Sequence, residues 1–318
     1  MNETLIHRLK KRYPMLEYFT ERPFGIEIEG YGLQYYLLPP DNGIVKPYNI
    51  QSCAGDGRRF DALLREFGLN LGSRKDSWHI EEDSSITHRG AFELISPILS
   101  GMDGLVQVYR FLELLGRIKG VEIDESCGFH VHHGVDAKTF TCRQLQELVR
   151  IVYSMEDYFY LLIPGDRQNN ATCRPVEVDV RAFLDPQLCA ADPETSIEQI
   201  KKLWYSSENR FECGEDATGK YDKTRYHGLN LHSYWYRSTI EFRYHSAVLH
   251  NRDEAMQWII FTQFLVELSE GRIPEVLFMP DANKWLKAIY KIYLAFGHLD
   301  RMRRVTGYTR KSSAVLNR

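Results

Sequence analysis

The chain lacks several features that would assign it directly to a class of protein. Its six cysteines are scattered and no two form a C-x-x-C pair, so we expect reduced thiols rather than disulfides or a cysteine zinc site. No apolar run approaches the roughly 18–20 residues of a membrane span. The 40 Lys and Arg against 43 Asp and Glu give a net charge of -3, which offers no electrostatic basis for binding nucleic acid. We therefore expect neither a membrane nor a nucleic acid as a partner.

Familiar nucleotide-binding and catalytic motifs are also missing. The chain has no G-x-x-x-x-G-K-[ST] loop, no G-x-G-x-x-G after a strand, no H-E-x-x-H and no G-x-S-x-G. Any nucleotide phosphates must therefore be held by metal ions and separate basic side chains. The start, MNETLIHRLKKRYPML, carries charges where a secretion signal has its apolar run, which predicts a cytoplasmic protein.

What the chain does contain is a mixture of strand and helix patterns over 318 residues, enough for a substantial core. PFGIEIEGYGLQYYLL alternates apolar and polar residues as a half-buried strand does. Helical spacing predicts helices over Leu105–Ile118, Cys142–Leu162 and Asp253–Leu268. Since strands and helices do not strictly alternate, we predict an α+β fold around an antiparallel sheet. One domain is expected over residues 1–318, with a core over about 22–270 and a C-terminal helical extension over about 271–318.

Shorter segments complete this prediction. Two strands joined by a turn at His88–Gly90 are expected, followed later by strand, turn and strand in GVEIDESCGFHVHHGV. TRYHGLNLHSY and STIEFRYH predict an antiparallel hairpin. Further helices are expected over residues 3–18, Arg59–Phe67, Ser196–Trp204 and twice after residue 270.

A pair of glutamates, Glu27 and Glu29, is the first candidate for chemistry. Residues two apart in a strand point to the same face, so both carboxylates project together. Two adjacent anions repel, and one takes a proton unless a cation lies between them. Hard oxygen donors suit Mg²⁺ or Mn²⁺. Taken alone, the pattern is more typical of the exposed polar face of an edge strand.

Two further pairs share the same two-residue spacing. His130 and His132 face one way, which suits a metal or phosphate, although such a pair is often structural. Glu241 and Arg243 form either an ion pair or a metal ligand beside a phosphate-binding arginine, because the guanidinium fork matches phosphate oxygens.

Taken together and in this order, seven segments resemble the amidoligase family of the glutamine synthetase and γ-glutamylcysteine ligase superfamily. They are FGIEIE, WHIEEDSSI, FELISPIL, CGFHVHH, DRQNN and RYHGLNL leading into TIEFRYH, and they span Phe24 to His245. The resemblance implies a glutamine synthetase-like domain in which a curved antiparallel sheet forms an open funnel with flanking helices. Metals would lie on its concave face.

The resemblance also implies roles for individual residues. Glu27 and Glu93 match ligands of a first metal, and Glu29, His130 and Glu241 match ligands of a second.

Other positions match contacts to the nucleotide and the substrates. His132 matches a contact to the nucleotide phosphates, and Arg243 matches the arginine that binds the transferring phosphoryl group. Asp83 is the candidate general base. Weaker matches to phosphate or substrate contacts are Arg167, Arg225, Asn170 and Asn230.

The implied activity is ATP-dependent joining of a carboxylate to an amine through an acyl phosphate. Its cofactors would be ATP and two or three Mg²⁺ ions, with Mn²⁺ as a substitute. Its partners would be a small molecule, peptide or protein that carries the carboxylate, together with an amine donor. The alternatives are a guanidino kinase of the same superfamily, a zinc hydrolase, and a relative that keeps the fold without catalysis.

Overall fold

The computed structural model describes residues 2–36, 49–52, 66–71, 76–118, 120–163, 167, 170–206 and 222–273. Most of the predicted helix Arg59–Phe67 and the predicted helices after residue 273 lie outside these residues.

The described chain mixes short strands with helices. In chain order the strands are β1 (Pro23–Gly30), β2 (Leu33–Tyr36), β3 (Asn49–Ser52), β4 (Asn70–Leu71), β5 (His79–Glu82), β6 (Phe92–Ile95), β7 (Leu99–Ser100), β8 (Gly128–Gly134), β9 (Leu229–Asn230) and β10 (Thr239–Ser246). The α-helices are α1 (Asn2–Arg12), α2 (Gly101–Leu115), α3 (Cys142–Leu162), α4 (Val180–Phe183), α5 (Pro193–Trp204), α6 (His232–Arg237) and α7 (Arg252–Ser269). Short 3₁₀ helices cover Pro14–Tyr18, Pro186–Cys189 and Lys223–Tyr226. Among the described helices, none has both the length and the apolarity needed to cross a membrane.

The chain divides into two compact units, each built from three segments. The first comprises Met1–Ile6, Thr20–His132 and His245–Ile259, and the second comprises His7–Phe19, His133–Tyr244 and Ile260–Arg318. The division therefore falls inside β8 and inside β10. The extent of a single catalytic domain stays a prediction.

The first unit is organised around β1. Its neighbours are β6 and β8, β5 and β4 continue beyond β6, and β7 also pairs with β1. The β1–β6, β1–β7 and β5–β6 pairs are antiparallel, whereas β4 and β5 run parallel. This mixture of helices and a largely antiparallel sheet confirms the predicted α+β class.

Helix α2 covers the apolar face of β1. Phe24, Ile26 and Ile28 alternate along that face and are at most 2% exposed. A Cβ atom at Gly104 of α2 would lie 3.0 Å from the Phe24 ring, so only a glycine lets the helix approach this closely without displacing the ring. Burial of three large apolar side chains fixes the register of β1, because a slip of one residue would turn its glutamates into the core.

The second unit is organised around α3 and β10. Helix α3 has the predicted bounds, and its first turn begins where Gln144 accepts a hydrogen bond from the Thr141 backbone N–H. Its buried face meets β10, where the rings of Phe159 and Tyr244 lie 5.4 Å apart. Strands β9 and β10 are antiparallel, with Asn230 opposite Glu241. The predicted hairpin is therefore confirmed as a strand pair, but α6 occupies the connection.

Three predictions from the sequence need correction. The helix expected over residues 3–18 divides into α1 and a 3₁₀ helix, because Pro14 has no N–H to continue an α-helix. Before β8, the expected strand is reduced to one bridge between Tyr31 and Glu122. Cys142 and Cys189 form a disulfide with a Cα–Cα distance of 5.8 Å, so the expectation of reduced thiols is wrong for this pair. Their approach depends on packing across 47 residues of sequence, which spacing alone does not reveal.

A carboxyl group lies inside the second unit. Glu156 of α3 is 5% exposed and accepts hydrogen bonds from the Tyr244 hydroxyl (2.6 Å) and the Val176 N–H (3.0 Å). Burial raises its pKa to about 8, because the charged form loses water, although the two hydrogen bonds oppose that shift. The folded protein therefore holds this proton at neutral pH.

We expect the free energy of unfolding to fall as the pH rises from about 4.5 to about 8. A group whose pKa is raised on folding stabilises the folded state at pH values below its unfolded pKa. This contribution is lost as the pH rises through its folded pKa. Glu156→Gln should remove this dependence, with a difference on the order of a few kcal/mol at pH 8. Urea unfolding at pH 5, 6.5 and 8 measures it. Glu147→Gln, a change on a more exposed face of the same helix, should leave the pH dependence intact, and equal slopes for wild type and Glu156→Gln would contradict the assignment.

Candidate active site

The polar face of β1 carries Glu27 and Glu29. The alternation that buries Ile26 and Ile28 directs both glutamates to the opposite face, as predicted. Both are largely withdrawn from water, with side chains 12% and 9% exposed. Carboxylates this poorly hydrated need cations or hydrogen-bond donors around them.

Glutamates on the neighbouring strands extend this acidic face. Glu93 of β6 pairs directly with Glu29 of β1, and Glu81 of β5 pairs directly with Glu93. Side chains of directly paired residues lie on one face about 4.5–5.5 Å apart at Cβ, where like charges destabilise a sheet. Three strands therefore carry carboxylates side by side, and the repulsion favours a bound cation.

Two histidines of β8 complete the group. His130 Nδ1 lies 3.2 Å from one oxygen of Glu27, and its Nε2 lies 3.4 Å from an oxygen of Glu29. His132 Nε2 lies 3.3 Å from the other oxygen of Glu27. Burial raises the pKa of Glu27, but attraction to His132 and the bond to His130 outweigh it and hold that pKa well below its ordinary value. Glu27, Glu29, Glu93, His130 and His132 form the acid–histidine cluster.

Gly128 sets the close approach of β8 to this cluster. Its N–H donates to a Glu29 oxygen at 2.5 Å. A Cβ atom at this position would lie 2.5 Å from His130 Nε2 and 3.1 Å from that Glu29 oxygen. Any larger residue would displace one of the two side chains.

The cluster can hold a metal ion. Glu27, Glu93 and His130 each offer one ligand atom, and these atoms lie within 4.8 Å of one another. Two carboxylates and one imidazole suit Mg²⁺ or Mn²⁺, whereas soft metals prefer sites rich in sulfur. The structure thus brings together five of the residues singled out from the sequence.

Asp83 and His133 have other surroundings. Asp83 Oδ1 accepts hydrogen bonds from the Ser85 N–H (2.8 Å) and hydroxyl (2.6 Å), which closes a turn after β5. Its role as a general base stays a prediction. His133, the next residue along β8, lies on the other face of that strand, and its Nε2 bonds the Thr262 hydroxyl at 2.8 Å in the core of the second unit.

The second unit holds the Glu241–Arg243 pair. Arg243 Nη1 lies 2.7 Å from one Glu241 oxygen, and Asn230 Nδ2 donates to the other at 2.6 Å. Both ionic side chains are at most 10% exposed. The ion-pair alternative is therefore present, and it also fixes the orientation of the Arg243 guanidinium.

Arg167 is a buried cation in the same unit. It is 0% exposed, and its Nη2 donates to the Arg243 carbonyl at 3.1 Å. Among the described residues, its Nε and Nη1 have no hydrogen-bond partner. A guanidinium buried with two donors unused is costly, so an anion bound there would satisfy it.

Arg225 and Asn170, the two remaining predicted contacts to phosphate or substrate, make contacts within their own segments. The guanidinium of Arg225 lies 4.9 Å from the Tyr226 ring centroid, a cation–π contact. Asn170 Oδ1 accepts from the Thr172 N–H and hydroxyl, which closes a turn. Roles of these two residues in binding stay predictions.

The described residues thus combine a mixed α+β fold with an acid–histidine cluster that could hold a metal. The family model described as "putative amidoligase enzyme" matches residues 20–266, and the chain belongs to this family. The resemblance inferred from the motifs is confirmed at that level, and the family name supports a ligase that forms amide bonds. No curated protein matches the sequence.

One acidic residue beside the cluster could not be singled out from the sequence. Glu81 lies in the stretch HIEE, where either glutamate could face the cluster. Only the register of β5 against β6 shows that Glu81 pairs with Glu93. The available signal was the two-residue alternation from Ile80, which is 2% exposed and points the other way.

Gly128→Ala should weaken binding of Mn²⁺ about 10- to 100-fold, as loss of a supporting contact around a metal site typically does. The added methyl must displace His130 or Glu29. Isothermal titration with MnCl₂ measures this. Gly25→Ala is the control, because its Cβ would meet its nearest neighbour at an ordinary 3.6 Å. Equal affinities in the two variants would argue against a metal site here.

Proposed function

We propose that this protein is an ATP-dependent ligase that joins a carboxylate to an amine through an acyl phosphate. The observation that carries the proposal is the acid–histidine cluster, whose side-by-side carboxylates favour divalent cations. Membership of the amidoligase family supports amide-bond formation. The glutamine synthetase-like funnel and the wider superfamily are part of this proposal.

The cluster residues would hold the metal ions. Glu27, Glu93 and His130 offer one set of ligand atoms, and Glu29 lies next to His130. When bound, Mg²⁺ would neutralise the negative charge of the nucleotide and of the transferring phosphoryl group.

The arginines of the second unit would bind anions. Arg167 has two unused guanidinium donors among the described residues, which suits a carboxylate or phosphate. Arg243, oriented by Glu241, would bind the transferring phosphoryl group. Glu241 itself would remain a candidate metal ligand, and Arg225, Asn170 and Asn230 candidate contacts to phosphate or substrate.

The chemistry accounts for this need for cations. An oxygen of the substrate carboxylate attacks the γ-phosphorus of ATP, and the bond to the bridging oxygen breaks to release ADP. The amine then attacks the acyl carbon, and inorganic phosphate leaves with the electron pair of the C–O bond. Both substrates of the first step are anions, so the protein must neutralise their repulsion.

The first test is metal-dependent ADP release with pools of carboxylic acids and amines. Release of ADP and phosphate only when acid and amine are both present, with an amide product detected by mass spectrometry, is the expected result. Phosphorylation of a guanidino compound without free phosphate would identify the kinase alternative instead. Zinc-dependent hydrolysis without ATP would overturn the ligase.

Glu27→Gln should lower ADP release on the order of 100-fold or more, because a lost metal ligand removes several kcal/mol of charge stabilisation. The control is Glu113→Gln, which removes a carboxylate that pairs with Arg117 and Arg252 on the same unit. Full activity in Glu27→Gln would refute the metal assignment.

Arg167→Met should lower ADP release about 30-fold or more while raising the melting temperature. The buried charge of Arg167, with its unused donors, destabilises the free protein, so its removal should raise the melting temperature. The same charge would bind the anion during the reaction, so its removal should lower activity. Calorimetry and the ADP assay measure the two effects. A variant that melts lower and keeps its activity would assign Arg167 a structural role.

A further inference from the structure

A histidine–aspartate pair lies in the first unit outside the acid–histidine cluster. His88 Nε2 and Asp124 Oδ2 are 2.6 Å apart, although 36 residues separate them in sequence. The His88 side chain is 45% exposed and that of Asp124 is 25% exposed. Ion pairs between partly exposed side chains usually contribute little stability, so the other contacts that fix these two side chains matter.

Asp124 is fixed from its other side. Its Oδ1 accepts hydrogen bonds from the Ser126 N–H (2.9 Å) and hydroxyl (2.6 Å). Burial raises the pKa of Asp124, but these bonds and His88 outweigh it and leave that pKa below its ordinary value. An ionised Asp124 can only accept, so Nε2 of His88 is the donor in this contact, and in the neutral imidazole the lone pair is then on Nδ1.

Tyr31 fixes the plane of the imidazole. The Tyr31 and His88 rings are stacked with centroids 4.1 Å apart and planes 23° apart. Among the described residues, His88 Nδ1 makes no hydrogen bond. An oriented imidazole on a partly exposed side chain, with its second nitrogen outside the contact to Asp124, is an arrangement suited to proton transfer.

The residues that hold the pair adjoin the acid–histidine cluster along the chain. Tyr31 follows Glu29 by two residues, a separation of about 7 Å along an extended chain. The Cys127 N–H bonds the Asp124 carbonyl in a turn, and the next residue, Gly128, donates to Glu29. The segment that holds Asp124 is thus the one that contacts the cluster.

We propose that His88 is the general base that takes the proton from the attacking amine, and that Asp124 is a positioning residue that orients it. This inference rests on the proposed ligase function. Ammonia and alkylamines are protonated at neutral pH and attack only as the free base, so a ligase needs a proton acceptor, for which imidazole is the commonest side chain. His88 suits this better than Asp83, whose Oδ1 already accepts two hydrogen bonds from Ser85.

The protons balance in this scheme. The ammonium substrate gives one proton to His88 Nδ1, and the resulting amine forms the C–N bond. The C–O bond to phosphate breaks, and the departing phosphate takes the second proton from nitrogen. His88, being nearly half exposed, returns its proton to solvent. Glu122 and Asp124 both act electrostatically on Tyr31, the residue that stacks on His88. Their negative charge near His88 would attract an ammonium group.

The test replaces the amine with hydroxylamine, which is largely unprotonated at neutral pH and needs no base. His88→Gln should lower amide formation from ammonia at pH 7 about 100-fold. Hydroxamate formation, read as the coloured iron(III) complex, should change less than about threefold. The remaining amide rate of the variant should rise with pH as free ammonia accumulates, whereas the wild-type rate levels off. Asp124→Asn should show the same pattern to a smaller degree.

His250→Gln, a change at an exposed histidine of the same unit, should leave both rates and the pH profile unchanged. A parallel fall of amide and hydroxamate formation in His88→Gln would assign His88 to the first step or to structure and overturn the inference. Unchanged rates in His88→Gln would also overturn it. A wild-type protein that makes neither product and releases no ADP would overturn the ligase itself, and the general base with it.

Discussion

Repulsion between neighbouring carboxylates is the constraint on which the rest of the first unit depends. Three adjacent strands carry glutamates at directly paired positions, namely Glu81, Glu93 and Glu29. Glu27 lies two residues before Glu29 on the same face of β1. A sheet pays for each such pair unless positive charge is supplied. His130, His132 and the Gly128 N–H lie against these carboxylates from β8, and the crowding of the carboxylates is what suits the group to divalent cations. The side chains around the cluster are best understood as responses to this charge.

The second unit buries a positive side chain instead. Arg167 is fully buried with guanidinium donors unused among the described residues, and burial raises the pKa of Glu156 so that its carboxyl group holds a proton at neutral pH. A protein gains no stability from an arginine in that state. The first unit thus gathers carboxylates around its cluster, and the second holds a buried guanidinium.

The sequence predicted those features that depend on local periodicity. The two-residue alternation placed Glu27 with Glu29 and His130 with His132. Helix α3 followed from its spacing. Features that depend on tertiary approach were not predictable: the register that sets Glu81 against Glu93, the contact of His88 with Asp124, the disulfide of Cys142 with Cys189, and the burial of Arg167. In each case the residues concerned are ordinary in their own neighbourhood, and only the folded chain brings their partners to them.

The two faces of β1 tie evolution of the core to evolution of the site. Phe24, Ile26 and Ile28 pack beneath α2 while Glu27 and Glu29 project from the other side of the same eight residues. An insertion or deletion of one residue within this strand would turn the residues on one side of it to the opposite face, unless a bulge absorbed the change. Replacement of one side chain by another is therefore the change that this segment accommodates most readily.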